Sequence, residues 1–198
     1  MKAWHFVGKT LRDGSPVPQD GEKLVFTGEP ILCEQGYHAS DSPWDALRYA
    51  PGNILCRVEC GGTLIKGDDK FVCTERTIIQ RIDATKMLQY FARMKAVEVI
   101  HLYPNDNDDV VFDFLMTGEN ANAAYAAAYA AKVTHAAYAA AYAAKATYAA
   151  TYAAAYTAYA ANAAAYAAAY AACVFSAANA ACAAYANEFN QLVFEDFL

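Results

Sequence analysis

A chain of 198 residues is long enough for one ordinary domain plus an extension, and its net charge of −6, from 15 Lys and Arg against 21 Asp and Glu, includes no basic cluster. That balance excludes nonspecific DNA or RNA binding, which needs phosphate neutralisation. The averages hide a change near Gly118: every Gly and Pro lies at or before that residue, and from Ala121 to Asn187 the only formal charges are Lys132 and Lys145. The expected fold class is an α+β N-terminal domain followed by a long Ala/Tyr-rich α-helical segment, in a bundle or coiled coil. The parts are a compact mixed α/β domain over 1–117, a repeat helix over 118–187 and an apolar docking tail over 188–198.

In chain order, Lys2 to Val7 reads as an opening strand. The Gly- and Pro-rich run Asp13 to Gly21 is surface loop. Glu22 to Phe26 and Pro30 to Cys33 are short candidate strands. Ser42 and Pro43 supply an N-cap and a first helical residue for a helix over Trp44 to Tyr49, which stops by Pro51-Gly52. Asn53 to Cys60 alternates, with Ile54, Cys56, Val58 and Cys60 on one face, as a half-buried strand does. Gly61-Gly62 is expected as a turn, followed by strands over Thr63 to Lys66, Lys70 to Cys73 and Thr77 to Ile82. Asp83 is the expected cap of a second helix with the stripe Met87, Leu88, Phe91 and Met94. Val97 to Leu102 reads as a last strand, and Val110 to Met116 as a short apolar segment.

Beyond Gly118, Ala-Ala-Ala-Tyr tetrads recur with Tyr pairs 13 or 14 residues apart, an internal repeat of about two heptads. Alanine is the best helix former and nothing here breaks a helix, so a continuous rod of roughly 100 Å is expected over Asn122 to Asn187. Tyr138, Tyr142, Tyr152, Tyr156, Tyr166 and Tyr170 fall on one broad face, and a bend or hairpin near Lys132 to His135 would reconcile Tyr125 and Tyr129 with it. An aromatic stripe with almost no charge needs burial, and a homo-oligomer is the expected means. Ala is barely apolar and the Tyr do not gather into two belts, so a membrane is not an expected partner. Phe189, Leu192, Val193, Phe194, Phe197 and Leu198 form the docking tail, for the chain's own N-terminal domain or a neighbouring subunit.

The six Cys include no CxxC pair, and Cys56 and Cys60 sit four apart on one strand, so reduced buried thiols are expected rather than a metal site. The start of the chain lacks the pattern of a signal peptide, so a cytoplasmic location, in a host cell or virion, is expected.

Two resemblances enter through particular residues. The run Cys33-Glu34-Gln35-Gly36-Tyr37-His38-Ala39-Ser40, followed by Pro43 and a short helix ending in Tyr49, resembles an uncharacterised domain of phages and prophages. Its members carry Cys-x-x-Gly-aromatic-His-Ala, and some have Ala-rich C-terminal repeats. The similarity covers about the first half of the chain. It implies a viral or prophage origin and brings no activity. Trp4-His5 on the first strand, Gly36 to Ser40 with Tyr49 beyond, and Glu75 also look somewhat like the poly(ADP-ribose) polymerase type of ADP-ribosyltransferase. That resemblance implies His5 at the nicotinamide ribose, His38 in the place of a stacking Tyr, and Glu75 as the ribose-orienting carboxylate. It further implies NAD as cofactor, with Gly36, Tyr37, Ser40 and Tyr49 around the ligand. Phe6 after His5, where the family usually has Gly, and His38 in place of Tyr depart from its pattern. The residues by themselves read more plainly: His38 as a hydrogen-bonding turn residue, Glu75-Arg76 as a solvated pair at a strand edge, and Trp44 and Tyr49 as packing residues. Three functions follow: a phage-type self-assembling protein displaying its N-terminal domain, an NAD-using transferase, or a protein that sequesters a nucleotide signal. The first requires no cofactor.

Overall fold

The computed structural model describes residues 1–98, 100, 109–130, 140–144, 160, 163–164, 167 and 178–197. The chain divides into two compact units, Met1–Ala84 and Thr85–Leu198. The first holds strands β1 (Lys2–Val7), β2 (Lys23–Val25), β3 (Tyr37–Ala39), β4 (Ile54–Lys66) and β5 (Phe71–Asp83), with helix α1 (Pro43–Leu47) between β3 and β4. The second holds α2 (Thr85–Glu98), α3 (Asp109–Thr117), α4 (Ala121–Ala130) and α5 (Ala178–Phe197). Helices α2 and α3, grouped with the strands on sequence, thus cluster with the helices.

All strand pairs are antiparallel, in the order β1-β4-β5-β2, and β3 also pairs with β5. Trp4 and Ser40 exchange two backbone hydrogen bonds of 2.9 Å, so β1 is bonded to β4 on one side and to the residue after β3 on the other. The sheet therefore curls back on itself. Its inner face carries the core: Ala3, Val7, Ala39, Cys56, Val58, Cys60, Phe71, Cys73 and Ile78. The alternation of Cys56, Val58 and Cys60 expected from sequence is the pattern of that face.

Several expectations are corrected. Gly61-Gly62 is not the turn, because β4 runs through both to Lys66 and the chain reverses at Gly67, whose N–H reaches the Lys70 carbonyl at 2.8 Å. The register shifts between Gly61 and Leu64, and Gly62 adopts φ +70°, a bulge that bends the strand without ending it. Consequently the two short strands expected between Lys70 and Ile82 are one, β5. Pro30 to Cys33 is a turn closed by an Ile31–Gln35 bridge, with Cys33 itself left-handed at φ 70°. Asp83 is the last residue of β5 and accepts from Asn53 Nδ2 at 2.8 Å, and α2 begins at Thr85. Val97 and Glu98 belong to the last turn of α2, not to a strand, while 101–102 lie outside the described residues. The N-cap expectation holds: Ser42 Oγ accepts from the Asp45 N–H at 3.1 Å, with Pro43 in the first helical turn.

In the helical unit, Met87, Leu88 and Phe91 of α2 are buried as expected, and so is Lys95, which was not. Helix α5 continues unbroken through residue 188. Phe189 meets Phe91 edge-on with centroids 5.1 Å apart, so the apolar tail docks on the chain's own α2. Ala124, Ala128, Ala140, Ala143, Ala144, Ala160 and Ala164 are buried within the single chain. Tyr142 is half-buried, while Tyr138, Tyr152, Tyr156, Tyr166 and Tyr170 lie outside the described residues, as does most of the rod expected over 122–187. No helix among the described residues is long and apolar enough to cross a membrane.

Gly36 shows how tightly the inner turn is drawn. Its φ is +97°, and a Cβ there would stand 2.7 Å from Val72 Cγ2 and 3.2 Å from the Cys73 carbonyl oxygen. Gly36→Ala should cost about 2 kcal/mol or more, since backbone strain and overlap add. A urea midpoint unchanged from wild type would show that the turn relaxes freely.

Candidate functional site

One cleft of about 890 Å³ opens in the strand-rich unit. Strand β1 contributes His5, and the left-handed turn at Gly36 leads into β3, which contributes Tyr37 and His38. Ser40 follows, and Tyr49 comes from just beyond α1. Of the residues selected on sequence, His5, Gly36, Tyr37, His38, Ser40 and Tyr49 all line this cleft, and Glu75 does not. Glu75 instead binds Lys23 of the neighbouring strand at 2.7 Å and lies over Gly61 and Gly62.

His38 is fixed in a structural role. Its Nε2 accepts the Cys33 N–H at 2.8 Å, and the ring also bonds to the Gly36 backbone. It thereby ties together the turn whose Cys33 is left-handed. Burial, then the charge of Lys70, lowers its pKa below 6.5, as an acceptor nitrogen requires. Ser40 is buried and works through its backbone, in the bonds to Trp4. Tyr49 donates its hydroxyl to Asp69 at 2.7 Å, which raises its pKa, and the Lys70 ammonium stands 3.7 Å over its ring.

Deeper in, His5 is half-buried opposite Cys56. Burial, followed by the charges of Arg76 and His38, holds it well below 6.5, so this imidazole is neutral at pH 7. Arg76 stands opposite Cys60 and is 4% exposed. Its Nη1 donates to the His38 carbonyl at 2.9 Å, its Cζ lies 5.2 Å from the Tyr37 ring centroid, and its Nε has no hydrogen-bond partner. Among the described residues no carboxylate pairs with it. Burial lowers its pKa. Of the adjacent thiols, burial pushes Cys56 up to about 11. Cys60 is raised by its hydrogen bond to Cys73, and the same bond lowers Cys73, whose Sγ lies 3.2 Å from the Tyr37 carbonyl. The free cysteines Cys56, Cys60 and Cys73 are buried, and Cys33 is exposed.

Residues 1–90 match the model of a domain of unknown function, DUF7666. No curated protein and no solved structure matches the chain.

Arg76 is the site residue that sequence reasoning missed. Glu75-Arg76 was expected to be a solvated pair, and only Glu75 is. The signal was present, because counting back by two from the core residue Ile78 puts Arg76 on the inner face. Reading two short strands in place of one concealed it.

Both cleft histidines have pKa values lowered on folding. Their contribution to stability is therefore complete above about pH 6.5 and is lost as pH falls from there through the folded values. The urea midpoint should drop between pH 6.5 and 5.5, and His5→Gln/His38→Gln should flatten that slope. An unaltered slope in the double variant would assign the effect elsewhere.

Proposed function

We propose that residues 1–84 form a binding module for a nucleotide-like small molecule, which they hold without turnover. The observation that carries this reading is the cleft itself. It has the volume of a small-molecule site, offers the Tyr37 and Tyr49 rings as stacking surfaces, and contains Arg76 as a cation without a carboxylate. The transferase alternative has weaker support, because Glu75, the carboxylate it requires, is engaged by Lys23 outside the cleft. Of the three functions considered from sequence, sequestration of a nucleotide signal agrees best with a site that has binding groups and lacks that acid. NAD is then one ligand of a panel and not a consumed cosubstrate.

Calorimetry of the full chain with NAD, ADP-ribose and mono-, di- and cyclic nucleotides tests this. At least one should bind with a micromolar or lower dissociation constant. Tyr37→Ala should weaken it about tenfold or more through lost stacking, and Glu75→Ala should leave it unchanged. Turnover of NAD that disappears on Glu75→Ala would instead establish the transferase.

Self-association of the helical unit is a second reading, and α3 supports it. Val111, Phe114 and Leu115 are buried, while Val110, Phe112 and Met116 on the same helix are 42%, 50% and 56% exposed. A helix apolar on both sides calls for a further partner. Contact between copies would use this face. Light scattering should give a mass above the 21.4 kDa of one chain, reduced to that value by Phe112→Glu/Met116→Glu. A wild-type monomer at all concentrations would rule the reading out.

A further inference from the structure

Resting on the cleft as a ligand site, we infer that Arg76 is the anchor for a phosphate or diphosphate group, so that the ligand is recognised first by its anion and only secondarily by a base. A guanidinium removed from water loses solvation that a bare cavity does not return. Native proteins meet that loss with a carboxylate or a complete set of hydrogen bonds. Arg76 has neither: one donor reaches the His38 carbonyl, Nε is unpartnered, and its neighbours are thiols and the Tyr37 ring.

The surrounding charges select the kind of anion. Arg12 and Lys70 line the same cleft as Arg76, whereas its acids are Asp13 and Glu34. Asp13 is already taken by Ser15, whose hydroxyl and N–H donate to it at 2.6 and 3.0 Å. Arg12 donates to the Cys33 carbonyl and Lys70 covers the Tyr49 ring, so neither has its charge neutralised by a carboxylate at an ion-pair distance among the described residues. His5, the polar group beside Arg76, is neutral and able to offer a hydrogen bond without adding charge. A buried guanidinium with two further cations lining the same cleft suits a group carrying more than one negative charge, and a guanidinium matches phosphate oxygens in pairs.

The test compares adenosine with AMP, ADP and inorganic pyrophosphate on the full chain by calorimetry, in wild type, Arg76→Met and Arg76→Lys. Met keeps the apolar stem and removes a buried charge, a change often neutral or stabilising, and thermal unfolding checks that the fold survives. The phosphorylated ligands and pyrophosphate should bind wild type and compete with one another. Arg76→Met should weaken them about 10- to 100-fold, and Arg76→Lys should recover only part of that loss. Adenosine bound as tightly as ADP, or ADP affinity unchanged in Arg76→Met, would overturn the inference while leaving the cleft a nucleoside site. Binding of pyrophosphate without any nucleotide would uphold the anion anchor and remove the nucleotide reading. If neither bound, both would fall.

Discussion

The two hydrogen bonds between Trp4 and Ser40 determine most of what the first unit is. Without them β1 would be the outer edge of a flat sheet, and β3 would sit on the far side of β5. With them, His5 is carried beside Tyr37 and His38, and the inner faces of four strands converge on one space. The length of β4 and β5, 13 residues each, makes this possible. A strand of that length must bend to close a curve, and the bulges at Arg57/Val58 and Gly61/Leu64 supply the bend. The cleft follows from the closure, because the turn at Gly36 and the loop from Gly8 to Asp13 are left to rim one end.

Inside that space the electrostatics have an uncommon arrangement. Two imidazoles are kept neutral by burial and by nearby cations, while one guanidinium keeps its charge, since arginine is protonated at any accessible pH. The fixed charge of the interior is therefore Arg76 alone, and its influence on His5 is part of why that histidine stays unprotonated. Removing water from around these groups strengthens every interaction a ligand would make with them. The same condition makes an unmet cation costly for the protein when no ligand is bound.

Much of the fold was legible in the sequence because local chemistry fixed it. The alternation of Cys56, Val58 and Cys60, the Ser42-Pro43 helix start and the stripe Met87, Leu88 and Phe91 each depend on neighbours in the chain. The failures lie where long-range contact overrules local preference. Two adjacent glycines usually end a strand, yet β4 continues because Gly61 pairs with Glu75 of β5 and the ladder resumes at Leu64. Asp83 also closes β5 and accepts from Asn53, which is distant in sequence. Gathering His5, Gly36, Tyr37, His38, Ser40 and Tyr49 into one group came from a motif resemblance, and the cleft does unite them. His38 and Ser40 hold the backbone in place, and Glu75 lies elsewhere. Neither the buried arginine nor the buried lysine was anticipated, since sequence patterns assign charged residues to solvent.

Those two buried cations make an instructive contrast. Lys95 in the helical unit is 1% exposed, yet its ammonium pairs with Glu98 one turn on and with Glu188 of α5, and it lies 4.2 Å from the Tyr185 ring centroid. Each of those partners is itself set in place by a helix, and the two carboxylates keep contact with water at their outer edges. That is how a chain accommodates a buried charge whose task is to join two helices. Arg76 has comparable burial and more donors to satisfy, but it has one carbonyl and no acid. The neighbouring Glu75 is directed to Lys23, and Asp20, in the turn before β2, to Arg81. A structural role would have been served better by apolar packing, which fills the rest of the inner face. The missing counter-charge is thus a property of the cleft, and a charge arriving with a ligand is the most direct way to complete it.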